Sequence, residues 1–173
     1  MARNIVRSFL MVMSVLFVMP GASVIAAEQA ACAEWLTAED VSKALGLELQ
    51  TTDPVEYSPG FTLCSWTKDR PEGQIGVNFS FFTMEAIREG MISAESIPEY
   101  FDMHVSSHRD TTGGEPQQLE GIGKRAVLFT EDHLWIVMIE LETGFGHLSL
   151  SPGDITREQV EAVAKQVRRQ SAE

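Results

Sequence analysis

Apolar and polar residues alternate along several segments of this chain, and the alternation predicts β-strands. The clearest case is residues 74–83, where one set of alternate positions is apolar: Ile75, Val77, Phe79 and Phe81. A period of two places such residues on one buried face of a strand and leaves the other face to smaller or polar side chains. Comparable patterns predict further strands at residues 61–68, 124–130, 134–142 and 145–151. The strand at 134–142 is apolar at nearly every position, which predicts cover on both of its faces.

Capping signals predict where the helices begin. Thr37 is followed three residues later by Asp40, the spacing of two side chains that cap a helix N-terminus reciprocally. The same spacing recurs at Thr156 and Gln159, and the residues after them form one apolar stripe at helical spacing. Ser96 predicts a third helix start, with a proline in the first turn.

The order of these elements predicts the fold class. A helix is followed by three strands, then by a short helix at residues 84–91 and the helix that begins after Ser96, then by three strands and a last helix. Short turns between neighbouring strands imply antiparallel pairing. We therefore expect an α+β fold with an antiparallel sheet of about six strands. An N-terminal helix, one or two middle helices and a C-terminal amphipathic helix should cover the sheet.

The first 27 residues have the plan of a secretory signal peptide. Arg3 and Arg7 precede an apolar run at residues 9–19, and small residues follow it. Eleven residues form a helix of about 16 Å, too short for a hydrocarbon core of roughly 30 Å. We expect residues 1–27 to be cleaved off and residues 28–173 to form a single α+β domain without a transmembrane segment.

The excess of acidic over basic residues narrows the classes of molecule that the chain is expected to bind. The chain has 13 basic and 25 acidic residues, and loss of the leader removes two of the basic ones, which leaves a net charge of −14. Nucleic acids and anionic membrane surfaces attract positive potential. The balance therefore argues against both of these partners, and it favours solubility and cationic partners.

The two cysteines, Cys32 and Cys64, predict one disulfide. An even cysteine count in an exported chain is typical of a bridge, which here would close a loop of about 32 residues. The alternative is a lipoprotein in which Cys32 is the lipidated first residue. Gln29 stands where an aliphatic residue is usual in lipoproteins, and lipidation would leave Cys64 unpaired. We therefore favour the disulfide.

A glycine-rich segment at residues 121–124 (Gly-Ile-Gly-Lys) raises the question of nucleotide binding. A phosphate-binding loop needs Gly-x-x-x-x-Gly-Lys-Ser/Thr between a strand and a helix. Here Arg125 follows the lysine, a hydroxyl for magnesium is missing, and the segment leads into a strand. We interpret Gly121 and Gly123 as turn residues.

Several short motifs together resemble a known group of proteins. They are an early cysteine, residues 36–41 (Leu-Thr-Ala-Glu-Asp-Val), residues 64–66 (Cys-Ser-Trp), residues 121–126 (Gly-Ile-Gly-Lys-Arg-Ala) and the C-terminal amphipathic helix. In these the chain resembles a broad group of uncharacterised exported bacterial envelope domains, many of them actinobacterial lipoproteins. The resemblance covers most of the mature chain. It implies a periplasmic or extracellular protein with a linked cysteine pair, and it implies no catalytic residues.

The strongest candidate for metal binding is the pair His104 and His108. Residues four apart share one face of a helix, the spacing of two ligands on one metal ion. His133 or His147 could supply a third imidazole, which would make the chain a periplasmic module for zinc or copper. The alternative is that the two histidines pack at the edge of an apolar helix face and that no cofactor is bound.

Two tryptophans near the cysteines are the candidates for a ligand pocket. Trp35 and Trp66 each lie within three residues of a cysteine. They predict either an aromatic cluster on the disulfide or a ligand pocket between the first helix and the sheet. Gly-x-Ser-x-Gly is absent from the chain and both cysteines are bridged, so we identify no catalytic residue.

The sequence as a whole favours an exported binding domain. We interpret the chain as a non-catalytic accessory module, periplasmic or at the cell surface, that binds an envelope protein or a small ligand and no nucleic acid. One alternative is the metal-binding module at His104 and His108. The other is a hydrolase whose catalytic residues are dispersed in the sequence.

Overall fold

Antiparallel strands form the centre of the computed structural model of this chain. The structure describes residues 32–51, 55–58, 60–71, 73–90, 93–132, 134–151 and 155–167. The predicted signal peptide lies outside these ranges. Residues 32–35 are helical, and the elements that follow are, in chain order, α1 (Ala38–Leu45), β1 (Gln50–Thr51), β2 (Val55–Ser58), β3 (Phe61–Arg70), β4 (Gly73–Thr83), α2 (Met84–Glu89), α3 (Ile97–Thr112), β5 (Gln117–Leu119), β6 (Arg125–Glu131), β7 (Leu134–Glu140), β8 (Gly144–Leu150) and α4 (Arg157–Gln166). None of the helices in these ranges is both long and apolar enough to cross a membrane.

The strands make one antiparallel sheet. Seven strands follow the order β1-β3-β4-β8-β7-β6-β5, and β2 pairs with β3 beside this path. The predicted α+β class with an antiparallel sheet is confirmed. The sheet has more strands than the six expected because β1, β2 and β5 are only two to four residues long. Segments this short do not show a detectable alternation.

The pairing of β4 with β8 joins two separate groups of strands. β3 and β4 form a hairpin, and β6, β7 and β8 form a meander. Phe79 of β4 lies opposite Leu148 of β8, so residues far apart in the chain become neighbours. Turn signals are local and do not predict this pairing.

The helices begin where the capping signals predict. Thr37 begins α1 and Thr156 begins α4, each in a reciprocal capping box with the residue three positions further on. Ser96 caps α3 by accepting a hydrogen bond from the N–H of Glu99. In a reciprocal cap the Glu99 carboxylate would accept a hydrogen bond from the N–H of Ser96. Here it accepts one from the N–H of Glu95, so this third cap is not reciprocal.

Two apolar clusters lie on opposite faces of the sheet. The first face carries a cluster that includes buried residues of α1 and α4, which pack against each other. The second face carries a cluster with buried residues of α2 and α3. β7 contributes Val137 and Ile139 to the first cluster, and Ile136 and Met138 to the second. The predicted burial of this strand on both faces is therefore confirmed.

A disulfide joins the start of the described chain to β3. Cys32 and Cys64 are bonded, their Cα atoms are 5.8 Å apart, and both residues are buried. The predicted bridge is thus present in the structure. The bridge uses the Cys32 sulfur, the atom to which a lipid would be attached in the lipoprotein alternative.

The glycine-rich segment is a turn that leads into β6. Gly121 and Gly123 have φ angles of 74° and 54°, which favour glycine. A side chain at Gly123 would collide with the carbonyl oxygen of Glu140 on β7. Lys124 forms an ion pair with Glu142, which lies two residues after the end of β7. The distance between Nζ and Oε2 is 2.8 Å. The segment therefore allows close approach to β7 and sets the entry of the chain into β6.

Removal of the disulfide is expected to destabilise the domain. In the loop-entropy treatment, a bridge between residues 32 positions apart contributes about 3–4 kcal/mol because it restricts the unfolded chain. The double variant Cys32→Ala/Cys64→Ala should lose this free energy of unfolding, measured in guanidinium chloride at pH 7. The unsubstituted protein in reductant is the control and should match the variant. A loss under about 1 kcal/mol would contradict the expectation.

Candidate functional site

Arg125 on β6 fixes the position of α3 on the second face. Its guanidinium forms ion pairs with Glu140 on β7 and with Asp102 on α3, the latter at 2.8 Å. It also donates to the carbonyl oxygen of Pro98 at 3.2 Å and lies 4.5 Å from the ring centroid of Phe101. The Glu140 side chain is 6% exposed and that of Asp102 is 65% exposed. The buried Glu140 therefore anchors the guanidinium on the sheet, and the contacts with Asp102, Pro98 and Phe101 link it to the first turns of α3.

α3 places His104 against the sheet. The His104 ring stacks on Tyr100, one turn earlier, with 5.4 Å between the ring centroids. It meets the ring of Phe145 on β8 edge-on at 5.0 Å. The next residue on the same face of β8 is His147, whose ring centroid is 6.3 Å from that of His104. A helix and a strand thus bring together two imidazoles that are distant in the sequence.

Burial keeps both of these imidazoles uncharged. Loss of solvation, with smaller effects of His104 and His108, lowers the pKa of His147 to about 4. Burial, and then the charge of His108, lowers the pKa of His104. An unperturbed histidine has a pKa of about 6.5, so both rings are neutral at pH 7. Each then offers one donor and one acceptor nitrogen.

His108 has a different set of neighbours. Its Nε2 lies 2.9 Å from Oε1 of Glu131 on β6, and its ring packs edge-on against Phe129 at 4.4 Å. The buried Nε2 has no aligned hydrogen-bond partner in the described residues, so the contact with Glu131 is an ion pair once His108 is protonated. A hydrolase that used a serine, threonine or cysteine nucleophile activated by His108 would need that hydroxyl or thiol bonded to this ring. Within the same ranges no such group bonds to it.

The two predicted metal ligands have different nearest neighbours in the structure. His104 lies beside His147, whereas His108 lies beside Glu131. Among the residues that the structure describes, no group of three or more His, Cys, Asp or Glu side chains could hold a metal ion. His133, the other third ligand considered, lies outside them. Zinc or copper binding at His104 and His108 stays a prediction, and this geometry does not favour it.

Beside α3, the second face of the sheet is mostly polar, and on β3, β4 and β8 its charged residue is Asp69, two positions beyond Thr67 near the end of β3. On β3, β4 and β8 one set of alternate residues belongs to the cluster of the first face: Cys64, Trp66, Val77, Phe79, Leu148 and Leu150. The residues between them must point to the second face, because side chains alternate along a strand. We call six of these residues the polar strip: Ser65, Thr67, Asn78, Ser80, His147 and Ser149.

Strand pairing makes the polar strip continuous. Asn78 lies between Ser65 on one neighbouring strand and Ser149 on the other, and Ser80 lies opposite His147. Opposite residues in antiparallel strands have Cβ atoms about 4.5–5.5 Å apart. The Ser65 hydroxyl donates to the side-chain oxygen of Asn78 at 2.7 Å. Asn78 is exposed and the other members are partly exposed, so the strip is open to solvent.

Most polar groups of the strip have no protein partner. Within the described ranges, the side chains of Thr67, Ser80, His147 and Ser149 form no hydrogen bond or ion pair. Hydroxyl, amide and imidazole groups can each donate and accept. The strip therefore presents a set of donors and acceptors to whatever molecule lies on it.

The two tryptophans predicted to line a pocket lie on the first face. Trp35 stacks on Phe81 with 3.9 Å between the ring centroids. Trp66 is buried and lines a cavity of about 190 Å³ beside Cys32. Ligand pockets usually measure about 300–1,000 Å³. An aromatic cluster on the disulfide fits these contacts better, and the pocket stays a prediction.

A larger cavity lies between the end of α3 and the turn that joins β6 to β7. Its volume is about 430 Å³, and its lining includes Thr112, Thr130, Glu131 and Asp132. Two carboxylates and the negative end of a helix dipole favour a cation there. This cavity therefore differs in chemistry from the polar strip, which has no charged side chain at pH 7.

The polar strip is not among the residues that the sequence predicts as a site. His147 enters only as a possible third metal ligand, and Ser80 and Asn78 do not enter. A signal was present, since residues 74–83 contain no charged residue although 22% of the chain is charged. No protein-family model, curated protein or solved structure matches the chain.

Loss of Arg125 is expected to destabilise the domain. Arg125→Met leaves the buried Glu140 carboxylate unpaired, which should cost about 3 kcal/mol. Asp102→Asn removes the exposed partner of the same guanidinium and should cost less than about 1 kcal/mol. Chemical unfolding at pH 7 measures both, and the double variant Arg125→Met/Glu140→Met should recover most of the loss. Equal losses for Arg125→Met and Asp102→Asn would contradict this assignment.

His147 is expected to make stability depend on pH between about 6.5 and 4. Its folded pKa lies below its unfolded value, so the unfolded chain binds more protons in this range and stability falls as the pH falls. The full effect is at most about 3 kcal/mol, reached near pH 4. His147→Gln should flatten the curve of unfolding free energy against pH, whereas Asn78→Ala, on the same face, should not. An unchanged slope in His147→Gln would disprove the assignment.

Proposed function

We propose that this chain is an exported, non-catalytic binding domain of the bacterial envelope, and that the polar strip with His104 forms its ligand site. The signal-peptide pattern and the bridge between Cys32 and Cys64 support export, because disulfides persist in oxidising compartments. The motifs at residues 36–41, 64–66 and 121–126 support a place among the exported bacterial envelope domains that they resemble, in the periplasm or outside the cell.

The concentration of polar groups without partners on one open face is the observation that carries the proposal. A solvated sheet face in an acidic protein would be expected to carry charged residues, and on β4 and β8 this face carries none at pH 7, the nearest carboxylate being that of Asp69 on β3. His147 is partly buried and has no hydrogen bond within the described chain. Water can solvate these groups in the free protein, and a ligand that donates and accepts in place of that water would keep their hydrogen bonds.

The chemistry of the site favours binding over reaction. His104 and His147 are neutral at pH 7, and in the described residues neither ring is hydrogen-bonded to a group that could orient or activate it. A catalytic base is normally held by such a partner. In this proposal the N-terminal helix covers the first face of the sheet, and the disulfide ties this end of the chain to β3. The first face then forms a rigid support for the ligand site on the second face.

A fragment titration tests the proposal. Small alcohols, amides, amines and carboxylates are added separately to the ¹⁵N-labelled, oxidised domain of residues 28–173, and amide shifts are mapped. We expect saturable shifts centred on Asn78, Ser80 and His147, and no chemical change in any fragment after overnight incubation. Ser80→Lys should abolish these shifts, since a long charged side chain would cover the strip. Gln118→Lys, on the edge strand β5, is the matched control and should leave the shifts unchanged.

Three outcomes would contradict the proposed function. Shifts centred on Trp66 would move the binding site to the small cavity on the first face. Conversion of a fragment, lost in His108→Ala, would support the hydrolase alternative. Binding of amines alone, at Glu131 and Asp132, would identify the cavity at the end of α3 as the site and would also contradict the proposal.

A further inference from the structure

We propose that the ligand of the polar strip is a neutral saccharide, an inference that rests on the proposed function. The juxtaposition that supports it is a row of uncharged hydroxyl, amide and imidazole groups on the sheet, bordered by the aromatic surface of α3. A saccharide offers hydroxyl groups that donate and accept together with apolar C–H faces. Such a ligand matches both parts of the surface.

The charges around the strip argue against anionic and cationic ligands. An anionic ligand would approach a chain of net charge −12 and would find no Lys or Arg on the strip. A cationic ligand would find no carboxylate among the six residues, whereas the cavity beside Glu131 and Asp132 offers two. Only a neutral ligand can bind to the strip without leaving a charge unpaired, which is costly where solvent is displaced.

The position of the strip in the sheet argues against an extended peptide. Peptides that add to a sheet bond to the backbone of a strand with an open edge. The strip lies on the face of strands whose edges are paired: β4 lies between β3 and β8, and β8 lies between β4 and β7. Their backbone groups are used in the sheet, so side chains must supply the hydrogen bonds to a ligand.

Five of the six residues of the strip form two rows across the sheet, and Thr67 lies beyond them opposite Gly76. One row contains Ser65, Asn78 and Ser149, and the next contains Ser80 and His147. Rows of one face are about 6.8 Å apart along a strand, and neighbouring strands about 4.8 Å apart. A ligand with several hydroxyl groups can therefore bond to two or three strands at once.

Aromatic rings border this grid at two places. His104, stacked on Tyr100, stands beside His147 on the α3 side. Phe82 lies two residues beyond Ser80 on the same face, is partly exposed and packs on Phe61 at 4.6 Å. These rings supply the apolar contact that sugar C–H groups need, and they leave the hydroxyl groups to the strip.

A matched set of trisaccharides tests the inference. Maltotriose, cellotriose and triacetylchitotriose are neutral, chitotriose is cationic and trigalacturonic acid is anionic. Each is titrated into the oxidised domain of residues 28–173 at pH 7 and followed by amide shifts. We expect at least one neutral trisaccharide to shift the strip saturably, and neither charged one to do so. Triacetylchitotriose and chitotriose share one backbone and differ in acetylation and charge, so their comparison tests the effect of a positive charge together with loss of the acetyl groups.

Variants locate the binding. Asn78→Asp places a charge in the strip and removes two donors, and it should weaken the binding of the neutral sugar about tenfold. Asn78→Ala removes the same donors without a charge and should weaken it less. Gln118→Glu, on the edge strand β5, adds the same charge elsewhere and should change the affinity less than twofold. Asn78 is exposed, and the spectra of the variants without ligand report directly whether they fold.

The outcomes separate this inference from the proposed function. Shifts of the strip by chitotriose or trigalacturonic acid, but by no neutral sugar, would overturn the inference that the ligand is a neutral saccharide and leave the strip as the binding site. The same holds if the fragments described above bind to the strip and no trisaccharide does. Neutral sugars that shift only residues around Trp66, or whose binding is unchanged in Asn78→Asp, would overturn both. Cleavage of a trisaccharide would contradict the non-catalytic function while leaving the ligand class intact.

Discussion

The ion pair between Arg125 and the buried carboxylate of Glu140 is the interaction on which the functional side of this domain depends. Arg125 follows a glycine turn in which Gly123 approaches the backbone of β7 too closely for a side chain. From that position the guanidinium reaches α3 through Asp102 and the ring of Phe101. One side chain thus connects β6, β7 and the first turns of α3. Because the position of α3 decides which part of the second face is covered, it also decides where a ligand could be bound.

Cover by α3 explains why one face of the sheet has two chemical characters. Where the helix packs, the strands present aromatic and aliphatic residues such as Phe145 and Met138. Where it does not, most alternate positions of β3, β4 and β8 are polar, and hydroxyl and amide residues are the most frequent among them. His104 and His147 lie at the border between these regions. That position removes enough solvent to keep both rings neutral, and it still leaves them beside the open strip.

The two faces of the sheet have separate roles in this arrangement. The first face contains the disulfide, the stacked pair Trp35 and Phe81 and the contact between α1 and α4. These interactions stabilise the sheet on its first face and do not involve the second face. The domain is acidic overall, with carboxylates at the end of α3 near Glu131, whereas the polar strip is neutral. A cation and a neutral ligand would therefore be directed to different places on the same molecule.

Local physics acts over a few residues, and it is what the sequence by itself determined. The starts of α1 and α4 at Thr37 and Thr156, the alternation in β4 and the bridge between the only two cysteines all follow from capping, side-chain period and cysteine count. Only the tertiary structure decided that β4 pairs with β8, which places Ser80 opposite His147. The spacing of the histidines on α3 predicts a shared ligand, whereas packing gives each histidine a different neighbour. Contacts between residues distant in the chain depend on how whole helices and strands pack, and no short pattern encodes that packing.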